Sequence, residues 1–490
     1  MREEAMARYK NYNDGQHYFD IIDLENDLPA DNRARIIREI INTIDVSNFD
    51  KNYNNDEGGA KAKHVRMMLG LILLGFIRNI IGSRSIMKHF ETDLEFKYIL
   101  AGNKGPDDST IRSFRRRHVK ELSEIFSLSV HLGSSLGMND FGSLAVDGTK
   151  IKAYASLYET KNKQGLDKSL RLLSQRMEKT LARLNSTETQ EEEDEFKKRL
   201  QNIEKRQAVL ENFQKLLEKE DDKKKVNRVD SDAKLMKQAD GKSIIGYNSQ
   251  AAVDCGEHGL IVAAEVSQDA TDDNLLKDIA DKAEEETGKK YDTILADSGY
   301  VNYESMATAA NEGRDILGPD KLFEKDMYEK NKSGKYSKSQ FSYDNENDCY
   351  SCPAGKVLHF KNMVKGQSSD LLFVYENKAA CASCPHSSFC IGKNGTYRRI
   401  YRDYRELLKE MMRERLTSNE GYLQYAIRSF VVEPTFGNIK QNRGFRQFYY
   451  RGFGKVQTEW KLMCAGVNFT KIIDFLQGKD WKILLQKAFS

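Results

Sequence analysis

The stretch Ser143-Leu144-Ala145-Val146, followed by Asp147-Gly148-Thr149-Lys150, marks the point where the sequence changes from a helical to a strand-forming pattern. Two more strands are predicted over 243–254 and 260–267, because strand-forming residues are bounded there by turn residues. The elements that follow are predicted as a helix, a strand, a helix and a strand, over 272–286, 291–296, 303–311 and 315–317. This order predicts an α/β fold in which helices flank a mixed sheet.

The sheet-containing core is predicted to extend over 141–476, with a helical domain before it at 1–140 and a tail after it at 477–490. In the helical domain, apolar residues recur at three-four spacing over 34–44, 64–79, 83–90 and 107–136.

Two insertions interrupt the predicted core. In the first, 161–226, two runs of leucine and phenylalanine at helical spacing predict an antiparallel helical hairpin. Its surface mixes both signs of charge, which favours a role as an arm or assembly element. The second insertion, 320–400, contains five of the seven cysteines.

The overall charge says little about partners, because 77 lysines and arginines nearly balance 74 acidic residues. The most apolar segment, 67–81, is shorter than a membrane span and contains Arg78. The first 15 residues lack the apolar region of a signal peptide. These features together predict a cytoplasmic protein.

Three carboxylates are candidates for a catalytic site. Asp147 and Asp297 each follow a predicted strand, where a rigid sheet exposes functional side chains, although Asp is also an ordinary turn residue. Glu433 lies in a predicted helix among Val431, Val432 and Phe436. A carboxylate with apolar neighbours needs a partner, and a metal ion is one such partner.

At this point the sequence resembles a known family. It is similar to the bacterial insertion-sequence transposases of the DDE class, in the branch with a Tyr-Arg-Glu-Lys signature. The matching stretches are Ala145-Val146-Asp147-Gly148-Thr149-Lys150, Leu295-Ala296-Asp297-Ser298-Gly299-Tyr300 and Val432-Glu433-Pro434-Thr435-Phe436-Gly437-Asn438-Ile439-Lys440, with Tyr425 and Arg428 before the last. The sequence departs from the family in one spacing, since four residues rather than three separate Arg428 from Glu433.

The resemblance implies an RNase H-like catalytic core, with Asp147 on the first strand, Asp297 after the fourth and Glu433 on a late helix. These carboxylates would hold two Mg²⁺ or Mn²⁺ ions for cleavage and strand transfer at the ends of a mobile element. Arg428 and Lys440 would contact DNA phosphates, and Tyr425 would stack or hydrogen-bond there.

The resemblance also implies the partners and the cellular location. The partners would be the terminal inverted repeats and the target DNA, with a homodimer assembled on the DNA. The protein would be in the bacterial cytoplasm and associated with the nucleoid when bound. Two alternatives remain: an RNase H-like nuclease that does not join strands, and a catalytically inactive DNA-binding regulator.

The clustered cysteines predict a structural Zn²⁺ site, because two Cys-x-x-Cys pairs are followed by Cys390. Reduced structural thiols are the alternative. The symmetrical choice of ligands is Cys349, Cys352, Cys381 and Cys384, whereas the resemblance favours Cys352, Cys381, Cys384 and Cys390.

Two arginine-rich segments are candidates for DNA contact. Arg112, Arg115, Arg116 and Arg117 lie on one predicted helix of the helical domain, which would then bind DNA; the alternative is a solvated face of a helical bundle. Arg443 and Arg446 lie in a segment that also contains Phe445, Phe448, Tyr449 and Tyr450, and such segments suit phosphate contact and base stacking.

Overall fold

The central sheet determines where the candidate carboxylates lie. The computed structural model describes residues 23–53, 61–187, 189–238, 240–328, 336–366, 371–391 and 395–489. The amino-terminal residues examined for a signal peptide lie outside these ranges.

Helices make up the first part of the described chain. They are α1 (Leu24–Asp27), α2 (Arg33–Thr43), α3 (Ser47–Asp50), α4 (Val65–Ile77), α5 (Ser83–Lys88), α6 (Leu94–Leu100), α7 (Asp108–Arg117) and α8 (Val119–Ser135). The sequence predicts one helix over 107–136, but the structure breaks it at His118, whose ψ of 43° is not helical. The buried His118 ring packs against Phe49 and Phe114, which explains why the chain turns there.

The next part of the chain contains the first insertion and the central sheet. Its elements are β1 (Ser143–Lys152), β2 (Thr160–Lys161), α9 (Lys163–Leu184), α10 (Gln190–Leu217), β3 (Val226–Asn227), β4 (Lys234–Lys237), β5 (Ser243–Asp254), β6 (Ile261–Ser267), α11 (Leu276–Thr287), β7 (Thr293–Leu295), α12 (Tyr303–Asn311), β8 (Asp315–Leu317) and α13 (Lys321–Tyr328). Helices α9 and α10 form the predicted hairpin, and the short β2–β3 pair closes its base.

Six strands of the described chain form the mixed central sheet. Along the sheet the order is β6, β5, β1, β7 and β8, and β4 also pairs with β5. β5 is antiparallel to β1, β4 and β6, whereas β7 is parallel to both β1 and β8. The structure is therefore an α/β fold with a mixed sheet, as the sequence predicts.

The second insertion forms a separate antiparallel sheet. Its elements are β9 (Ser342–Asp344), β10 (Cys349–Ser351), β11 (Val357–Lys365), β12 (Leu371–Glu376), α14 (Lys378–Ala382), α15 (Ser387–Cys390) and β13 (Arg399–Asp403). The strands follow one another in the order β13, β12, β11, β10 and β9. Phe341, Tyr350, Leu358, Tyr375 and Ile400 form a small core of their own.

The carboxyl-terminal helices join the helical region to the sheet. They are α16 (Glu406–Thr417), α17 (Asn419–Gly437), a π-helical turn (Asn438–Asn442), α18 (Phe453–Leu476) and α19 (Trp481–Phe489). Helix α18 packs on α8, α4 and β6. One hydrophobic core therefore includes Phe76 of the helical region, Val146 of the sheet and Trp460 of α18. No helix among the described residues has the length and apolar character that a membrane crossing requires.

Candidate active site

The parallel pairing of β1 with β7 places Asp147 and Asp297 side by side. Ala145 of β1 is the register partner of Leu295 of β7, 150 positions later in the chain. Asp147 and Asp297 each lie two residues after their member of this pair. Asp297 follows the end of β7, as the sequence predicts. Asp147 does not follow a strand end: it lies inside β1, where it is the register partner of Ala251 in β5.

Each aspartate accepts a hydrogen bond from the backbone amide of a nearby glycine. The Gly148 amide donates to Asp147 Oδ1 at 2.8 Å, and the Gly299 amide donates to Asp297 Oδ1 at 2.8 Å. In each carboxylate the Oδ2 atom faces the side chain of Arg428.

Arg428 of α17 supplies a positive charge between the two carboxylates. Its Nη2 atom is 3.1 Å from Asp147 Oδ2 and 3.7 Å from Asp297 Oδ2. Burial raises the pKa of Asp147 to about 6, although Arg428 acts to lower it, and Asp297 raises it further. The pKa of Asp297 is also raised by burial, against the effect of Arg428. One guanidinium therefore does not fully compensate the negative charge collected here.

A third acidic residue, Asp272, lies close to this pair and is not predicted from the sequence. Its Oδ1 atom accepts hydrogen bonds from Asn248 Nδ2 at 2.7 Å and from Gln250 Nε2 at 2.8 Å. Its charge contributes to the raised pKa of both Asp147 and Asp297. Asp272 precedes α11 in an acidic loop, and nothing in that loop's sequence distinguishes it from Asp269 or Asp273.

Glu433, the third predicted catalytic carboxylate, lies on the exposed side of α17. It lies five positions after Arg428 along the chain, which turns the two side chains roughly 140° apart around a helix. Among the described residues, no hydrogen bond or ion pair joins Glu433 to either aspartate, and no three His, Cys, Asp or Glu side chains are arranged as a metal centre. The structure thus brings Asp147 and Asp297 together but does not bring Glu433 into contact with them.

Two other predicted site residues of this region lie near the carboxylates. Burial lowers the pKa of Lys440, and the nearby Asp147 partly opposes this effect. Burial also acts to lower the pKa of Arg428. The charges of Asp147, Tyr425 and Asp297 act in the opposite direction and outweigh burial, so the pKa of Arg428 is raised. Lys440 and Tyr425 therefore belong to the same electrostatic neighbourhood as Asp147 and Arg428.

The arginines predicted to bind DNA divide into exposed and buried residues. Arg112, Arg116, Arg117 and Arg446 are exposed. Arg115 is only 6% exposed, and its Nη1 donates to the Ile81 carbonyl at 2.9 Å. Arg443 is 8% exposed, and its Nη1 donates to the Phe76 carbonyl at 2.6 Å. The prediction of DNA contact is therefore corrected for Arg115 and Arg443, because their guanidinium groups are buried in helix packing and donate to backbone carbonyls.

Four of the five clustered cysteines line one small cavity. Cys352, Cys381, Cys384 and Cys390 surround a space of about 30 Å³ in the second insertion. Burial raises the pKa of the Cys390 thiol, and the other three thiols are close enough to raise it further. Cys349, in contrast, is buried in β10 and does not line this cavity.

Two parts of the chain match models of known protein families. Residues 22–117 match a family model described as a transposase domain, and residues 351–473 match one described as a transposase DDE domain. These two matches support an insertion-sequence transposase of the DDE class. The DDE-domain match in this transposase includes Arg428, Glu433 and Lys440 but neither Asp147 nor Asp297. No curated protein matches the chain.

Proposed function

We propose that this transposase cleaves DNA at the ends of a mobile element and joins those ends to target DNA. The observation that carries the proposal is the pairing of Asp147 with Asp297 across the parallel strands, with Arg428 between them. A carboxylate pair of this kind needs added positive charge, and the divalent cations of a transposase would supply it.

The donor atoms at the site fit Mg²⁺ or Mn²⁺, which prefer carboxylate oxygens. Asp147 and Asp297 would hold two such ions, with Glu433 as the third carboxylate. When bound, the ions would activate the attacking oxygen and stabilise the leaving oxygen of a phosphodiester. The support for Glu433 is its place in the sequence motif, on the same helix as Arg428 and shortly before Lys440.

The basic side chains of the site would position the DNA backbone. The Nε atom of Arg428 is buried and has no hydrogen-bond partner among the described residues, so this group retains an unused donor. Guanidinium groups bind phosphate through several donors at once. Arg428 and Lys440 would therefore hold phosphates beside the scissile bond, and Tyr425 would contact the DNA next to them.

We also infer that the catalytic core is RNase H-like. The support is the strand order β6-β5-β1-β7-β8, with antiparallel pairing on one side of β1 and parallel pairing on the other. Asp147 lies on the central strand of this order, and Asp297 follows the end of the parallel neighbour of that strand.

For the second insertion we propose a structural Zn²⁺ held by Cys352, Cys381, Cys384 and Cys390. The four thiols around one cavity favour this set over the symmetrical one that includes Cys349. The Lys356 amide also donates to Cys352 Sγ at 3.3 Å, an interaction that stabilises a thiolate ligand. The ion would fix the loop segments that carry the ligands.

The proposed DNA partners are the terminal inverted repeats and the target site, bound by a homodimer in the cytoplasm and at the nucleoid. The exposed Arg112, Arg116, Arg117 and Arg446 are the side chains we assign to phosphate contact.

The test is a cleavage and joining assay with duplexes that carry the sequences flanking the gene. We expect Asp147→Asn, Asp297→Asn and Glu433→Gln each to lower cleavage by orders of magnitude in Mg²⁺ while DNA binding is retained, because charge is removed with little change of shape. Normal cleavage by the Glu433→Gln variant would refute its assignment. Cleavage without joining by the unmodified protein would favour the nuclease alternative.

A further inference from the structure

We propose that Asp272 is a further acidic residue of the cation site, held by Asn248 and Gln250 so that its free oxygen faces the Asp147–Asp297 pair. This inference rests on the proposed function, because it assigns one more residue to the same site.

Strand β5 fixes the position of the Asp272 carboxylate. Asn248 and Gln250 are two residues apart on β5, so their side chains lie on the same face of the sheet, and both are at most 2% exposed. Gln250 is the register partner of Gly148, the residue after Asp147. Because both amides donate to Asp272 Oδ1, this oxygen is fully engaged, while Oδ2 has no hydrogen-bond partner among the described residues.

Two glycines, Gly148 and Gly299, leave room for Asp272 beside Asp147 and Asp297. A Cβ atom on Gly148 would lie 2.9 Å from Asp272 Oδ1 and 2.2 Å from Gln250 Nε2. A Cβ atom on Gly299 would lie 3.5 Å from Asp272 Oδ2 and 2.9 Å from Asp297 Oδ1. Asp272 therefore lies close both to Gly148, which follows Asp147 in β1, and to Gly299, which follows Asp297 by two residues.

A second observation indicates a ligand at this position. Asn248 is 1% exposed, and its Oδ1 atom has no hydrogen-bond partner among the described residues. A buried acceptor without a donor is costly, and the waters of a hydrated Mg²⁺ or Mn²⁺ are donors of the required kind. The Asn248 amide that holds Asp272 therefore has an oxygen available to accept a hydrogen bond from a water of a hydrated cation.

The hydrogen bonds alone do not require a carboxylate at position 272. An asparagine there would present the same Oδ1 acceptor to Asn248 and Gln250. Only the negative charge would be lost, so Asp272→Asn separates a role in cation binding from a role in holding the two amides. Asp272→Ala removes both.

The experiment measures Mn²⁺ binding to the full-length protein without DNA, by titration calorimetry. We expect Asp272→Asn and Asp272→Ala to weaken Mn²⁺ binding by a similar factor, at least about tenfold. The control is Asp278→Asn, which removes the same charge from the exposed surface of α11 and should bind Mn²⁺ as the unmodified protein does. Thermal unfolding in chelator confirms that each variant is folded.

The reference variants Asp147→Asn and Asp297→Asn distinguish the possible failures. If they lose Mn²⁺ binding while Asp272→Asn keeps it, the inference about Asp272 is wrong and the proposed function stands. If Asp272→Ala weakens binding but Asp272→Asn does not, Asp272 only positions the amides and the inference is again wrong. If none of these variants changes Mn²⁺ binding, both the cation site of the proposed function and the role of Asp272 are refuted.

Discussion

Replacing Asp147 with Asn should stabilise the metal-free transposase at neutral and alkaline pH, although it removes a residue of the proposed active site. In the folded protein, burial raises the pKa of this carboxyl from 3.8 to about 6, even with Arg428 beside it. The side chain is 22% exposed, so water screens it only partly. Ionised Asp147 is therefore less favourable in the folded protein than in the unfolded chain.

The size and the pH dependence of the effect follow from this shift. About two pKa units correspond to roughly 3 kcal/mol of unfolding free energy. Because the folded-state pKa is raised, the contribution of Asp147 to stability is fully present below pH 3.8 and is lost as the pH rises through 6. The Asn variant should gain about half of the full difference at pH 5 and all of it at pH 8. For a chain of 490 residues, roughly 3 kcal/mol corresponds to a rise in Tm of about 3 °C.

The measurement is thermal unfolding in chelator from pH 5 to pH 8, with the exposed Asp278→Asn as the control. The control variant should keep the unmodified Tm at every pH. A Tm difference for Asp147→Asn that does not grow with pH, or a lower Tm at pH 8, would refute the reasoning, because the buried charge would then carry no cost.

Two further predictions concern the cysteine cavity and the arginines of α7. Metal analysis should find about one Zn²⁺ per chain, lost in Cys390→Ser but kept in Cys349→Ser, because Cys390 lines the cavity and Cys349 does not. A folded, zinc-free protein with reduced thiols would contradict this. Arg116→Ala should weaken duplex binding in fluorescence anisotropy and reduce its log–log salt slope by up to ~0.9. Arg115→Ala should instead lower Tm, because the buried Arg115 holds the Ile81 carbonyl; an unchanged Tm would count against its packing role.

The sequence was sufficient for the elements whose local pattern is strong. Strand β5 and helix α12 begin and end at the predicted residues, because strand-forming runs with clear turns and amphipathic helices carry their own signals. The meeting of Asp147 and Asp297 was also predicted. The two aspartates meet because β1 pairs with β7 in a register that joins residues 150 positions apart. Only the structure shows this pairing between distant strands.

The features missed from the sequence depend on tertiary contacts. Arg115 and its neighbour Arg116 are indistinguishable by residue type, yet Arg115 is buried against Phe76 of α4 and the Ile81 carbonyl, whereas Arg116 is exposed. Asp272 is recognised as part of the site only through Asn248 and Gln250, which are more than 20 positions away. Residue type and spacing carry no information about such partners.

The charge balance around Arg428 distinguishes this site from an ordinary buried ion pair of the same protein. The Asp320 side chain is less exposed to solvent than that of Asp147, and Arg413 Nε lies 2.7 Å from it. Burial acts to raise the pKa of Asp320, but the hydrogen bond and charge of Arg413 bring it below its ordinary value, as expected for a stabilising pair. At the candidate active site one guanidinium faces Asp147 and Asp297, with Asp272 close by, and burial raises the pKa values of both aspartates instead. Burial, with a smaller contribution from neighbouring carboxylates, outweighs the effect of Arg428 there, so additional cations would stabilise the two ionised aspartates.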